Sequence, residues 1–139
     1  MSGLMETRVL TLKAKRGKQE RVEVRQLDAL QLFDYQEALL SAPWPTIDEN
    51  ADEQAQKKTL LDIQRVTLEF NVLLAALGLH YLYPDLKLEQ MKRKVLECYP
   101  DPAHILRLAM AVKEISGLAM LAADSDEPAP TEPIDPKKG

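Results

Sequence analysis

His80, His104 and Cys98 are the residues of this chain best suited to holding a metal ion, and the chain has no other histidine or cysteine. Their spacings fit no zinc-finger pattern, and a fourth ligand would have to be an unspecified carboxylate. His80 falls near the end of an apolar run, where a satisfied, partly buried ring is expected. His104 falls in the first turn of a later helix, where a solvent-facing ring is expected. Cys98 recurs on an apolar stripe and reads as a small buried hydrophobe, not as a nucleophile. Ser41 and Ser116 lie in no nucleophile elbow, and the five glycines are too scattered to cradle a phosphate. The acidic pairs Asp48/Glu49 and Asp52/Glu53 sit in a polar stretch, without the burial that general acid–base work requires. Two basic clusters remain, Lys13–Lys18 and Lys92-Arg93-Lys94. No aromatic residue interleaves with either, as a single-strand nucleic-acid platform would need. These residues predict a protein that works by contact, with no enzyme activity, metal or cofactor.

The chain of 139 residues has the size of one domain, and its 45% hydrophobic content suffices for a real core. A net charge of −4 argues against general binding to phosphate backbones. With one cysteine no internal disulfide can form, which suits a reducing compartment. The first residues have no apolar core of signal-peptide length. The most apolar stretch, Val66–Tyr83, is interrupted by Glu69, Asn71 and His80, so it reads as a buried helix and not a bilayer span. A cytoplasmic protein is expected.

The elements that would position these side chains begin with two strands, Val9–Ala14 and Glu20–Arg25. Val22 and Val24 alternate with charged residues, and Gly17 can supply the turn. Two strands alone are marginal in water. The hairpin must therefore lean on helices or gain strands from another copy or a partner. Asp28 predicts a helix N-cap, after which Leu30, Phe33, Glu37 and Leu40 recur at helical spacing, with Leu32 and Leu39 widening the apolar face. Ala42-Pro43-Trp44-Pro45 ends that helix. Trp44, held between two prolines, reads either as a plug over the core or as an exposed anchor for a partner.

A second helix gathers strength from about Gln54. It carries the stripe Leu60, Ile63, Thr67, Phe70, Leu74, Leu77 and Tyr81, and becomes apolar nearly all round in its second half, as a central helix does. Gly78 within it permits close packing or a kink. Asp85 is placed to cap a third helix with Leu88, Met91, Val95 and Cys98 on one side. Asp101-Pro102 starts a fourth, with the stripe Ile105, Leu108, Ala109, Val112, Ile115 and Ala119. That helix stops at Gly117-Leu118 or runs on to Ala123. The fold class is thus mainly α: an N-terminal β-hairpin followed by a bundle of about four helices, forming one domain over residues 1–123. Residues 124–139 hold four prolines, five acidic residues and two lysines, and read as a disordered tail.

The opening RVLTLKAKRGKQERVEVRQLDALQLFDYQEAL resembles that of tail assembly chaperones from long-tailed bacteriophages and related prophage or tailocin clusters. These are small acidic proteins with a short hairpin, a helix beginning in a phrase like Val24-Arg25-Gln26-Leu27-Asp28-Ala29-Leu30, and a helical body. LLAALGLHYLYPDLKLEQMKRKVLECYPDPAHILRLAMAVKEISGL is similar to that body. The resemblance implies binding of the long helical tape-measure protein during tail assembly in the bacterial host cytoplasm, and recruitment of tube subunits. A chaperone of helical clients needs an apolar groove. Trp44, Leu73, Leu88, Met91 and Leu118 are the candidates for that surface. Homo-oligomerisation through the open hairpin edges is a further expectation. The alternative reading is a small helical regulator or nucleic-acid-binding accessory protein that uses the basic hairpin tip.

Overall fold

The computed structural model describes residues 3–118. Two antiparallel strands, β1 (Thr7–Lys13) and β2 (Gln19–Arg25), precede α1 (Ala29–Ser41), α2 (Glu53–Leu79), α3 (Leu88–Cys98) and α4 (Pro102–Ile115). A single 3₁₀ turn, His80–Leu82, follows α2. The mainly helical architecture with its leading hairpin is therefore as the sequence predicts. The acidic segment from residue 124 lies outside the described residues.

Alternation places Leu10, Leu12, Val22 and Val24 on the inner face of the hairpin, with Leu10 opposite Val22 in the register. The tip closes through Ala14 N–H to the Lys18 carbonyl (2.8 Å), with Gly17 at φ 86°. The inner face is laid on α2 and α4, so the strands lean on helices. The hairpin edges are covered in part. On the β1 edge, Arg107 Nη1 donates to the Thr11 carbonyl and His104 Nε2 to the Lys13 carbonyl, each at 2.9 Å. On the β2 edge, the Tyr81 hydroxyl donates to the Glu23 carbonyl (2.7 Å). Side chains from the helical body thus occupy acceptors that an added strand would use.

The helix starts follow from their caps. Asp28 accepts from Gln31 N–H (2.8 Å) while the Gln31 side chain accepts from Asp28 N–H (3.0 Å), a reciprocal capping box. Asp52 and Asp101 cap α2 and α4 in the same spirit, and Pro102 opens α4. The third helix departs from expectation. It begins at Leu88, with Lys87 and not Asp85 at the N-cap position. The cause is the preceding turn: Leu86 N–H bonds to the Tyr83 carbonyl, and His80 Nε2 bonds to the Leu86 carbonyl (2.6 Å), which holds 83–86 out of helical conformation. His80 is thus the satisfied, half-buried ring expected. At the end of α4, Gly117 takes φ 80° and Leu118 turns into the core. Ser116 Oγ accepts from Leu27 N–H (3.0 Å), tying that stop to the hairpin exit.

The core runs between the hairpin, the second half of α2, α3 and α4. Leu27, Leu74, Met91, Val95, Ile105, Leu108 and Val112 are its most enclosed side chains, and no polar residue among those described is buried with them. Cys98 does not join it and is exposed. As the last residue of α3 it sits where the helix unwinds, and the half-buried Tyr99 packs against the core in its stead. His104 is likewise half-buried, drawn onto the hairpin by its bond to Lys13.

In α2 every buried residue lies in Val72–Leu79. The helix is about 40 Å long at 1.5 Å per residue, so its first half projects from the core. Helical segments with few buried contacts open first. In hydrogen-exchange mass spectrometry, amides of 57–65 are expected to exchange at least about 100-fold faster than those of Val72–Leu79.

Candidate functional site

The first helix carries apolar residues on two opposite sides. At 100° per residue, Leu32, Tyr35 and Leu39 fall on one side, and Leu30, Phe33 and Leu40 on the other. The inner side is anchored to α2. Tyr35 is buried and meets the Phe70 ring edge-on (centroids 6.1 Å apart). Trp44 stacks on the same ring (5.5 Å, interplanar 9°), so Phe70 is gripped by two aromatics. At the other end of α1, Gln31 Nε2 donates to the Leu77 carbonyl (3.2 Å).

With that side satisfied, the other faces outward. Leu30, Phe33 and Leu40 are 75%, 70% and 89% exposed. The apolar pattern of α1 spans both sides, and the structure seats the helix by Leu32, Tyr35 and Leu39, because Tyr35 and not Phe33 finds an aromatic partner on α2. Ile47 after the Trp44 loop and Leu60 and Leu61 on the projecting half of α2 are exposed as well. A helix presenting three large apolar side chains at i, i+3 and i+10 is a surface fitted to another helix.

The five expected contact residues separate. Met91 is 2% exposed and Leu118 is also in the core, so neither can meet a partner in this fold. Both belong to the buried core cluster, which periodicity alone cannot distinguish from a groove. Leu73 and Leu88 are half-buried and pack on that core. Trp44 alone stands at the surface: one face stacks on Phe70 and the rest remains exposed, so it is both plug and rim. Leu30, Phe33 and Leu40 were visible in the sequence as an apolar stripe. The signal that could have marked them is the presence of a second stripe on the same helix, with an aromatic residue in each.

The surroundings of this face are acidic. From Gln26 to Gln56 the chain has no lysine, arginine or histidine. It has Asp28, Asp34 and Glu37 around α1, and the pairs Asp48/Glu49 and Asp52/Glu53 after it. Glu37 lies within the exposed stripe and Asp34 beside it, both exposed.

Elsewhere the surface is less suggestive. Among the described residues no three histidine, cysteine or acidic side chains are grouped as metal ligands would be, and no helix is long and apolar enough to cross a membrane. The basic triplet of α3 is engaged locally: Lys92 with Glu89 (3.1 Å), Arg93 with Glu97 (3.4 Å), and Lys94 over the Tyr83 ring (4.6 Å). A cleft of ≈ 550 Å³ lies between the hairpin tip and the α3–α4 turn, lined in part by Lys15, Lys18, Cys98, Tyr99 and His104. Its wall is fixed by the Tyr99 hydroxyl donating to Glu20 (2.6 Å).

Burial, then the bond to Glu20 and its charge, hold the Tyr99 phenol well above its usual range. Burial also raises Tyr35, and burial with the Glu23 charge raises Tyr81 against a smaller lowering by Arg25. A raised phenol favours the protonated, folded state. Its contribution is complete below the unfolded value of 10.0 and is lost as pH rises beyond it toward the folded value. Stability is therefore expected to fall from about pH 10 upward. In denaturant titrations across that range, Tyr99→Phe is expected to give a shallower alkaline decline than the parent chain.

The outer side of α1 is thus the largest run of exposed apolar side chains described on a single short helix. Residues 10–135 match the family described as bacteriophage lambda tail assembly chaperone, TAC, protein G. The chain belongs to that tail assembly chaperone family. No curated protein and no solved structure matches it. Membership covers nearly the whole hairpin and all four helices, and it implies a non-catalytic role with a protein client.

Proposed function

We propose that this tail assembly chaperone acts in the bacterial host cytoplasm by holding the tape-measure protein before and during polymerisation of the tail tube, and that it grips through the outer face of α1. The observation that carries the reading is the exposure of Leu30, Phe33 and Leu40 on a helix whose opposite side is already packed. A tape-measure protein is a very long helical chain, and its unassembled apolar stripes need cover of this kind. Helix-in-groove recognition reads anchors on one helical face, and α1 offers them three and seven residues apart.

The test is co-expression with the tape-measure protein of the same phage or prophage. The client is expected to remain in the soluble fraction and to co-purify with the chaperone. Aggregation of the client irrespective of the chaperone would reject the proposal. The interaction is apolar at its centre, so moderate salt should leave a substantial part of it intact. A lysine-mediated nucleic-acid contact at the hairpin tip would instead collapse over the same range.

A further inference from the structure

We infer that the client segment seated on α1 is a cationic amphipathic helix, with lysine or arginine flanking its apolar stripe. This rests on the reading of α1 as the gripping face and specifies what it accepts. The apolar stripe is interrupted by Glu37 and bordered by Asp34, in a run of 31 residues, 26–56, that has acidic side chains and no basic one. The first two cations after that run, Lys57 and Lys58, pair with Glu53 (3.5 Å) and Asp62 (3.2 Å) of their own helix.

This charge decides among occupants. A second copy of the chain, docked face to face about a two-fold axis, would bring Asp34 and Glu37 against their own equivalents. The chain's own terminal segment 124–139 carries five acidic residues against two lysines and meets the same repulsion. Anionic lipid surfaces and nucleic acids are disfavoured for the same reason. A helix whose apolar side chains pack on Leu30, Phe33 and Leu40, and whose flanking cations reach Asp34 and Glu37, satisfies both features of the face. Complementary charge of this type mainly sets choice of partner and rate of encounter, with the apolar anchors supplying the hold.

The experiment uses the full chain and three synthetic amphipathic helices with one leucine stripe, flanked respectively by lysine, glutamine and glutamate. Binding is followed by fluorescence anisotropy at low and moderate salt. The lysine helix is expected to bind about tenfold more tightly than the glutamate helix, with glutamine between, and the gap should narrow as salt rises. In the D34K/E37K variant the order should reverse. Equal binding of all three helices, or an order unaffected by D34K/E37K, would overturn the charge inference and leave the gripping face standing. Failure of all three to bind would overturn both.

Discussion

Replacing Phe33 and Leu40 together by glutamate is expected to weaken retention of the tape-measure protein by about 100-fold or more while barely moving the melting temperature. The two halves of this result have separate causes. Both side chains are largely in water in the free chaperone, so the folded state loses little packing when they change. Surface substitutions of that kind stay within about 0.5 kcal/mol. In the complex the same positions would be covered. Burying a Phe or Leu side chain contributes about 1.5–3 kcal/mol each, so losing two anchors removes about 3–6 kcal/mol before any penalty for covering a carboxylate. At 1.4 kcal/mol per decade this exceeds two orders of magnitude. The comparison variant is Leu32→Glu on the inner side of α1, which packs against the core. It should lower the melting temperature markedly. If F33E/L40E instead unfolded the chain while L32E did not, the two faces of α1 would be assigned the wrong way round.

That assignment is where the sequence ran out. The hairpin was legible because alternation in Arg21–Arg25 and a glycine at the turn are both local signals. The helix starts at Asp28 and Asp101 were legible for the same reason, since a cap is read from a few neighbouring residues, whereas Asp52 reads only as part of a polar lead-in. Asp85 failed as a cap because a longer-range bond, His80 to the Leu86 carbonyl, competes for the same turn. Which side of α1 faces in is a tertiary choice. Both stripes have helical period and an aromatic residue, and Phe70, about 30 residues away, selects Tyr35 and Trp44 as its partners. Met91 illustrates the converse. A methionine on a helical stripe suits a groove or a core equally, and only the packing of α3 beneath α2 places it inside. The family resemblance carried by the order of elements was sound, while the contact residues attached to it had to be redrawn from exposure.

Gly78→Ala is expected to destabilise the native chain by about 1–2 kcal/mol and to stabilise a Val112→Ala chain by up to about 1 kcal/mol, a reversal of sign at one position. A methyl group at residue 78 would lie 2.5 Å from Val112 Cγ2 and 3.3 Å from the Arg25 carbonyl oxygen. The first distance is impossible without movement, and Val112 has little room to move. It is fully enclosed, and its branched side chain has one strongly preferred rotamer in a helix. Overpacking of this kind costs about 1–3 kcal/mol, which outweighs the gain of about 1 kcal/mol from replacing glycine in a helix. Truncating Val112 removes both contacting methyls, so only the helix-propensity gain and the ordinary approach to Arg25 remain. Val112→Ala is itself destabilising through the cavity it leaves, and the alanine at 78 would fill part of that space. Chemical denaturation of the four chains of this cycle measures the coupling directly, with about 2 kcal/mol expected. Additive effects would mean that α2 and α4 are not pressed together at Gly78.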